Sequence, residues 1–163
     1  MRPLKAEYMY IVIVGCGRVG YHLTRALLAV GNEVLVIDID PRRCEALRDE
    51  LGSVAVAMQG DGTRVEVLKQ AGVERAGVVI AVASRDEDNL ATCQLAKHMF
   101  NTPNTMALIR DPQNEALFRM LGVDVIIDGT QLIVSTIEEE LPKCRSALRS
   151  QSRPPCPAWI PLS

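Results

Sequence analysis

The chain has 163 residues, 48% of them hydrophobic and 23% charged, which is the size and balance of one ordinary globular domain and too short for a cofactor domain plus a separate substrate domain. A net charge of −2 excludes a general nucleic-acid binder, and an aromatic content of 4% excludes a platform for stacking bases. The charge is uneven: Lys143, Arg145, Arg149 and Arg153 are the only charged residues after position 142, which leaves −6 on residues 1–142.

The first apolar, β-branched run is MYIVIV at 9–14, which predicts a buried strand and is far too short to span a membrane. Helical spacing over 18–30 follows, stopping at Gly31-Asn32. EVLVID at 33–38 is a second strand. Asp40-Pro41 then places a capping acid before proline at the first helical position, and that helix runs to Leu51-Gly52. SVAVAM at 53–58 predicts a third strand, and Thr63-Arg64-Val65-Glu66 reads as a capping box opening a short helix to Ala71-Gly72. GVVIAV at 77–82 is the fourth strand, and Ser84-Arg85-Asp86-Glu87 reads as a second capping box for a helix reaching Phe100. TMALI at 105–109 is the fifth strand, Asp111-Pro112 starts a helix over 112–121, and DVII at 124–127 is the sixth strand. An amphipathic helix over 130–141 ends the pattern, its stripe of Leu132, Ile133, Ile137 and Leu141 suited either to cover the sheet or to meet another chain.

Continuous apolar strands alternating with helices predict an α/β fold: a Rossmann-like, doubly wound, parallel six-stranded sheet with helices on both faces. The expected organisation is an N-terminal extension at 1–8, the nucleotide-binding domain at 9–141 and a proline-rich basic tail at 142–163. Five scattered cysteines, none in a C-x-x-C pair, point to a reduced, cytosolic chain with neither a disulfide framework nor a zinc site.

Gly15-Cys16-Gly17-Arg18-Val19-Gly20 is a G-x-G-x-x-G between a predicted strand and a predicted helix, the context in which that pattern cradles a pyrophosphate at a helix N-terminus. Asp38 closes the second strand, where a carboxylate accepts both hydroxyls of an adenosine ribose and repels a 2′-phosphate; Arg42 and Arg43 nearby soften that exclusion. Because Asp40 is the better cap, Asp38 is expected to be free for this role. Gly60-Asp61-Gly62-Thr63 fits equally a tight turn before a helix and a loop flanking adenine. Arg110 ends the fifth strand and can meet a phosphate or pair with a neighbouring acid, while the acids at 86–88 answer the helix dipole. The two histidines, His22 and His98, have no evident catalytic partner, and no tyrosine–lysine pair or nucleophile elbow is present.

Taken together, IVIVGCGRVG, VIDIDP, QGDGT, AVASRDEDNLATCQLAK and LIRDP resemble, in that order, the TrkA N-terminal domain, also called the KTN or RCK N-terminal domain, over about 9–140. The resemblance implies a Rossmann domain that binds NAD(H) or an adenine nucleotide (ATP, ADP or AMP); with no second domain to wall a substrate pocket and no acid/base pair in the sequence, no chemistry on that nucleotide is expected. It implies a cytoplasmic module, peripheral to the membrane through a potassium transporter or channel subunit, that assembles into dimers or rings. By matching motif, the nucleotide loop is Gly15, Gly17, Arg18, Val19 and Gly20; the ribose acid is Asp38; the adenine loop is Gly60, Asp61, Gly62 and Thr63. Ala83 and Ser84 follow the fourth strand, and Arg110 is the strand-five arginine. Members usually continue into a second RCK domain, and here a proline-rich basic stretch stands where that linker begins. A small NAD-dependent oxidoreductase is the alternative, and a nucleotide-binding domain unrelated to ion transport is the plainest.

Overall fold

The computed structural model describes residues 8–53 and 56–141. The apolar runs form strands β1 (Tyr10–Val14), β2 (Glu33–Asp38), β3 (Ala57–Gln59), β4 (Val78–Ala81), β5 (Asn104–Ile109) and β6 (Val125–Asp128). All neighbours are parallel, in the order β3-β2-β1-β4-β5-β6. Helices α1 (Arg18–Ala29), α2 (Pro41–Leu51), α3 (Val65–Gln70), α4 (Asp86–Phe100), α5 (Glu115–Met120) and α6 (Gly129–Glu140) follow the strands in turn.

The central strands β1, β2 and β4 are apolar at successive positions because both faces of the sheet are covered there. On one face Ile11, Ile13, Val36, Val78 and Ile80 pack with Cys44 and Leu47 of α2. On the other, Val12, Val14, Ile37 and Val79 pack with Leu68 of α3 and Ala96 of α4. Each such side chain contributes roughly 1.5–3 kcal/mol on burial. The chain leaves β1 toward β2 and β3, then returns to lay β4 on the other side of β1. That reversal opens a crevice at the carboxyl ends of β1 and β4, the place where doubly wound sheets bind ligands.

Asp40 caps α2 as expected, accepting from Arg42 N at 2.9 Å, and Gly52 ends it with a φ of +63°. Both capping boxes fail. The N-caps of α3 and α4 are Arg64 and Arg85, without side-chain capping bonds; Thr63 turns its hydroxyl onto Asp61, and Glu87, the acid of the second box, is held by the Arg85 guanidinium. The third strand is shorter than expected and begins at Ala57; residues 54–55 of that predicted run lie outside the described residues. The helix expected over 112–121 is a 3-10 turn at Pro112–Asn114 followed by α5, with Asp111 accepting from Gln113 N. The predicted tail at 142–163 and residues 1–7 also lie outside the described residues.

The described residues up to Thr130 form one compact unit. The second is described over 131–141, where Leu132, Ile133, Val134, Ile137 and Leu141 are all exposed. Among the described residues no helix is long and apolar enough to cross a membrane.

Below the sheet, Asp124 ties β5 to the entry of β6. Its carboxylate accepts from Thr105 N at 2.8 Å, Thr105 Oγ1 at 2.9 Å and Lys97 Nζ at 2.8 Å. Burial pushes the Asp124 carboxyl up, but the Lys97 and Thr105 bonds outweigh it and hold the group below the usual carboxylate range. A lowered folded pKa means stability that is present above the unfolded value of about 3.9 and is lost as pH falls through the folded one. Asp124→Asn is therefore expected to melt below the wild type at pH 7, with a gap that narrows toward pH 3. A gap independent of pH in thermal unfolding would contradict this.

Candidate functional site

The loop from β1 into α1 is built by steric necessity at two of its three fingerprint glycines. Gly15 has a φ of +110°, and a Cβ there would sit 2.7 Å from Ala83 N. At Gly20 a Cβ would lie 1.8 Å from the Gly15 carbonyl oxygen, so only glycine lets α1 pack against its own loop. Gly17 is different. Its φ of −78° and ψ of −164° suit any residue, and nothing lies within 4 Å of where its Cβ would be. The fold gives no reason for glycine at this position, which faces open space at the uncapped start of α1.

Asp38 is not free. It is 7% exposed, and its Oδ2 accepts from Cys16 N at 2.6 Å while Oδ1 accepts from Asp40 N at 2.8 Å. Arg43 Nη1 stands 3.6 Å from Oδ2. The carboxylate thus staples the glycine loop to the end of β2. Two oxygens carry about four lone-pair sites, so capacity remains for hydroxyl donors. The next loop is anchored to the same residue, with Gly60 N donating to the Asp38 carbonyl at 2.9 Å.

Asp61 Oδ1 accepts from Thr63 N at 2.9 Å and Thr63 Oγ1 at 2.6 Å, and these bonds hold its carboxyl below the usual range. Gly60 and Gly62 leave room for Val67 and Val14. The segment is therefore a packed turn, and its exposed edge also faces the crevice.

A cleft of about 410 Å³ gathers Gly15, Gly17, Asp38, Gly60, Asp61, Thr63, Ala83, Ser84 and Arg110 from the expected set. Arg18 and Val19 are exposed but do not line it, and Gly20 and Gly62 are buried beneath it. Arg85 and Asp88 line it and were not expected, nor was Ile39; Arg43, read only as a nearby charge, is on the wall. The basic residues at the start of α2 and the Ser84-Arg85-Asp86 segment were the available signals. The Arg110 guanidinium forms no contact ion pair among the described residues, but its charge helps to lower the Asp86 carboxyl, so both readings of it, phosphate contact and partner of a neighbouring acid, stand open. Neither His22 nor His98 lines the cleft.

A larger hollow, about 640 Å³, opens near the amino ends of β1 and β2. Its charged groups answer one another: Arg75 bonds Glu33 at 2.6 Å and stacks 3.5 Å over the Tyr10 ring. The carboxyl-end cleft is the better candidate because its backbone and charges converge on open space. Among the described residues no group of three or more His, Cys, Asp or Glu side chains is arranged to hold a metal.

The described thiols are unsuited to attack. Burial, reinforced by Asp38, pushes Cys16 up to about 11, and burial pushes Cys93 up to about 12. Cys16, Cys44 and Cys93 of the native chain are expected to resist iodoacetamide at pH 8 until denaturant is added, as read by peptide mass spectrometry. Rapid labelling of Cys16 would show that the glycine loop opens.

The Trk system potassium uptake protein TrkA of Streptomyces coelicolor is 39% identical over 118 residues, 72% of this chain and 52% of that protein. Its namesake in Vibrio alginolyticus is 37% identical over 136 residues, 80% of this chain and 29% of that protein. The chain spans about half or less of the length of these relatives. Among solved structures, the TrkA-N domain of the inner membrane protein ybaL from Escherichia coli superimposes with a TM-score of 0.75, at 24% identity, covering 83% of this chain and 98% of that one. A GsuK channel bound to NAD gives 0.68 at 23% identity, over 77% of this chain and 22% of that one. The fold recurs in GsuK bound to ADP and in the AMP-bound Kef C-terminal domain of Shewanella denitrificans, with TM-scores of 0.71 and 0.65, each at 22% identity. The former covers 83% of this chain and 35% of that one, the latter 87% and 83%. A family model, the TrkA-N domain, matches residues 11–129. That match runs from the second residue of β1 to the first of α6 and so takes in every strand and every cleft loop: the chain belongs to the TrkA-N domain family.

Proposed function

We propose that this domain binds NAD(H) or an adenine nucleotide (ATP, ADP or AMP) in the carboxyl-end cleft and thereby regulates potassium transport through a membrane partner. The observation that carries the reading is Gly17: a glycine the fold does not need, on the floor of a cleft beside a buried carboxylate at the end of β2. Phosphates meet backbone at Gly15, Gly17 and the first turn of α1 at Arg18, Val19 and Gly20, and Asp38 takes the adenosine ribose. The edge formed by Gly60, Asp61, Gly62 and Thr63 flanks adenine, while Ala83, Ser84 and Arg110 face the remainder of the ligand. The curated relatives are named for potassium uptake, and structures with this fold hold NAD, ADP and AMP.

The role is binding without chemistry on the nucleotide. The polar side chains that line the cleft are carboxylates, guanidiniums and hydroxyls, suited to recognise an anion and a ribose, and they stand beside the apolar Val14, Ile37, Ile39 and Val82. Ligand states that bind two conformations unequally bias the equilibrium between them, typically by about 1–3 kcal/mol. The domain, residues 9–141, sits at the cytoplasmic face through its partner, with residues 1–8 and 142–163 flanking it. The apolar residues exposed on α6 suit a second copy of the chain, and light scattering is expected to show a dimer or larger ring; a monomer at high concentration with and without nucleotide would contradict assembly.

The test is potassium uptake in a deficient host that carries a Trk-type membrane subunit. Uptake is expected to respond to the chain and to lose that response in Gly17→Val. Steady oxidation of NADH with a small carbonyl compound, lost in the same variant, would contradict the reading.

A further inference from the structure

One face of α4 is polar where a helix packed on a sheet is usually apolar. Asp86, Asn89 and Thr92 are spaced by three residues, so they share a face, and they are 8%, 0% and 0% exposed. Each bonds a different loop. Thr92 Oγ1 donates to the Gly62 carbonyl at 3.1 Å, behind the loop that follows β3. Asn89 brackets Ala83 after β4: its Oδ1 accepts from Ala83 N at 2.8 Å and its Nδ2 donates to the Ala83 carbonyl at 3.1 Å. The same Nδ2 reaches the Leu108 carbonyl of β5 at 2.9 Å. Asp86 accepts from Arg110 N at 2.9 Å, Asp111 N at 3.1 Å and Asn114 Nδ2 at 2.8 Å. Burial pushes the Asp86 carboxyl up, but these donors outweigh it and keep the group below its usual range.

A buried polar stripe is costly unless every group is paired, and here the partners are the backbones of the loops on the cleft wall. Apolar side chains would fill the same helix face and leave those loops unheld. We propose that Asp86, Asn89 and Thr92 are positioning residues that mount the three cleft loops on one rigid helix. The division of labour follows from strand order. Asp38 and the Gly62 loop lie on the β2–β3 side of β1, and Ala83 and Arg110 on the β4–β5 side. Thr92 therefore positions the wall that meets adenosine. Asp86 and Asn89 position the wall that meets whatever lies beyond the first phosphate. The proposal rests on the nucleotide reading of the cleft.

The experiment titrates AMP and NAD, by calorimetry, into the wild type and into Asp86→Asn, Asn89→Asp and Thr92→Val. An amide at 86 turns a donor toward backbone N–H groups, and a carboxylate at 89 loses both donations to carbonyls. Each is expected to weaken NAD about tenfold or more and AMP by less than about threefold. Thr92→Val is expected to weaken both ligands alike. Equal losses for AMP and NAD in Asp86→Asn and Asn89→Asp, or no loss for either, would overturn the proposal, because a general loosening of the fold cannot separate the ligands. Amide hydrogen exchange on the ligand-free protein provides an independent measure: Asp86→Asn should speed exchange at Arg110 and Asp111 but not within α1. A wild type that binds neither ligand would overturn the reading of the cleft, and the exchange data would still decide whether Asp86 orders the Arg110 loop.

Discussion

Gly17→Val is expected to abolish adenine-nucleotide binding, with at least about a 100-fold loss of affinity or ~2.8 kcal/mol, while leaving stability within about 0.5 kcal/mol of the wild type. The backbone at Gly17 is already extended, a conformation valine adopts readily, and a Cβ there would meet nothing within 4 Å. It fills only the space through which a pyrophosphate would approach the backbone. Gly20→Val supplies the contrast. Its Cβ would lie 1.8 Å from the Gly15 oxygen, so it is expected to destabilise by more than about 4 kcal/mol and to lose binding through unfolding. Denaturant unfolding beside calorimetric titration separates the two. Normal binding by Gly17→Val would reduce the fingerprint to a structural turn.

Asp38→Ala is expected to act twice. Loss of the charge-assisted bonds to a ribose weakens every adenosine ligand by about 1.5–3 kcal/mol. Truncation also strands the Cys16 and Asp40 amides that the carboxylate now satisfies, at about 1–3 kcal/mol for each that stays buried and unpaired. Asp38→Asn keeps an acceptor for one of them and is expected to retain more stability than Asp38→Ala while still binding poorly. Full affinity in both variants would remove Asp38 from the site.

The second effect was not legible in the sequence. Asp40 could be recognised as the cap of α2 from its place before Pro41, and the structure bears that out, but it did not follow that Asp38 was free of partners within the chain. Its partner Cys16 is 22 residues away, and a contact across that distance leaves no mark in local pattern. The same limit explains Asp86. An acid in the first turn of α4 reads as a dipole partner, yet its bonds go to a loop 24 residues on. Thr63 fits a capping box by spacing, but Asp61 two residues earlier is a nearer and charged acceptor for its hydroxyl. The strands were legible because β1, β2 and β4 are apolar on both faces, a pattern that only a covered parallel sheet requires. The glycines were legible as a set. Which of them serve the fold and which leaves a ligand room depends on distances of a few ångströms, and only the folded chain shows those.

The central claim, that the carboxyl-end cleft is a nucleotide site, is tested most directly by thermal unfolding of the wild-type chain with NAD, NADH, ATP, ADP and AMP. A ligand at 100 times its dissociation constant stabilises the folded state by about 2.7 kcal/mol, enough to raise the midpoint by several degrees. At least one of the five is expected to produce that shift, and Gly17→Val is expected to show none with the same ligand. Unshifted melting of the wild type with all five at millimolar concentration would contradict the account.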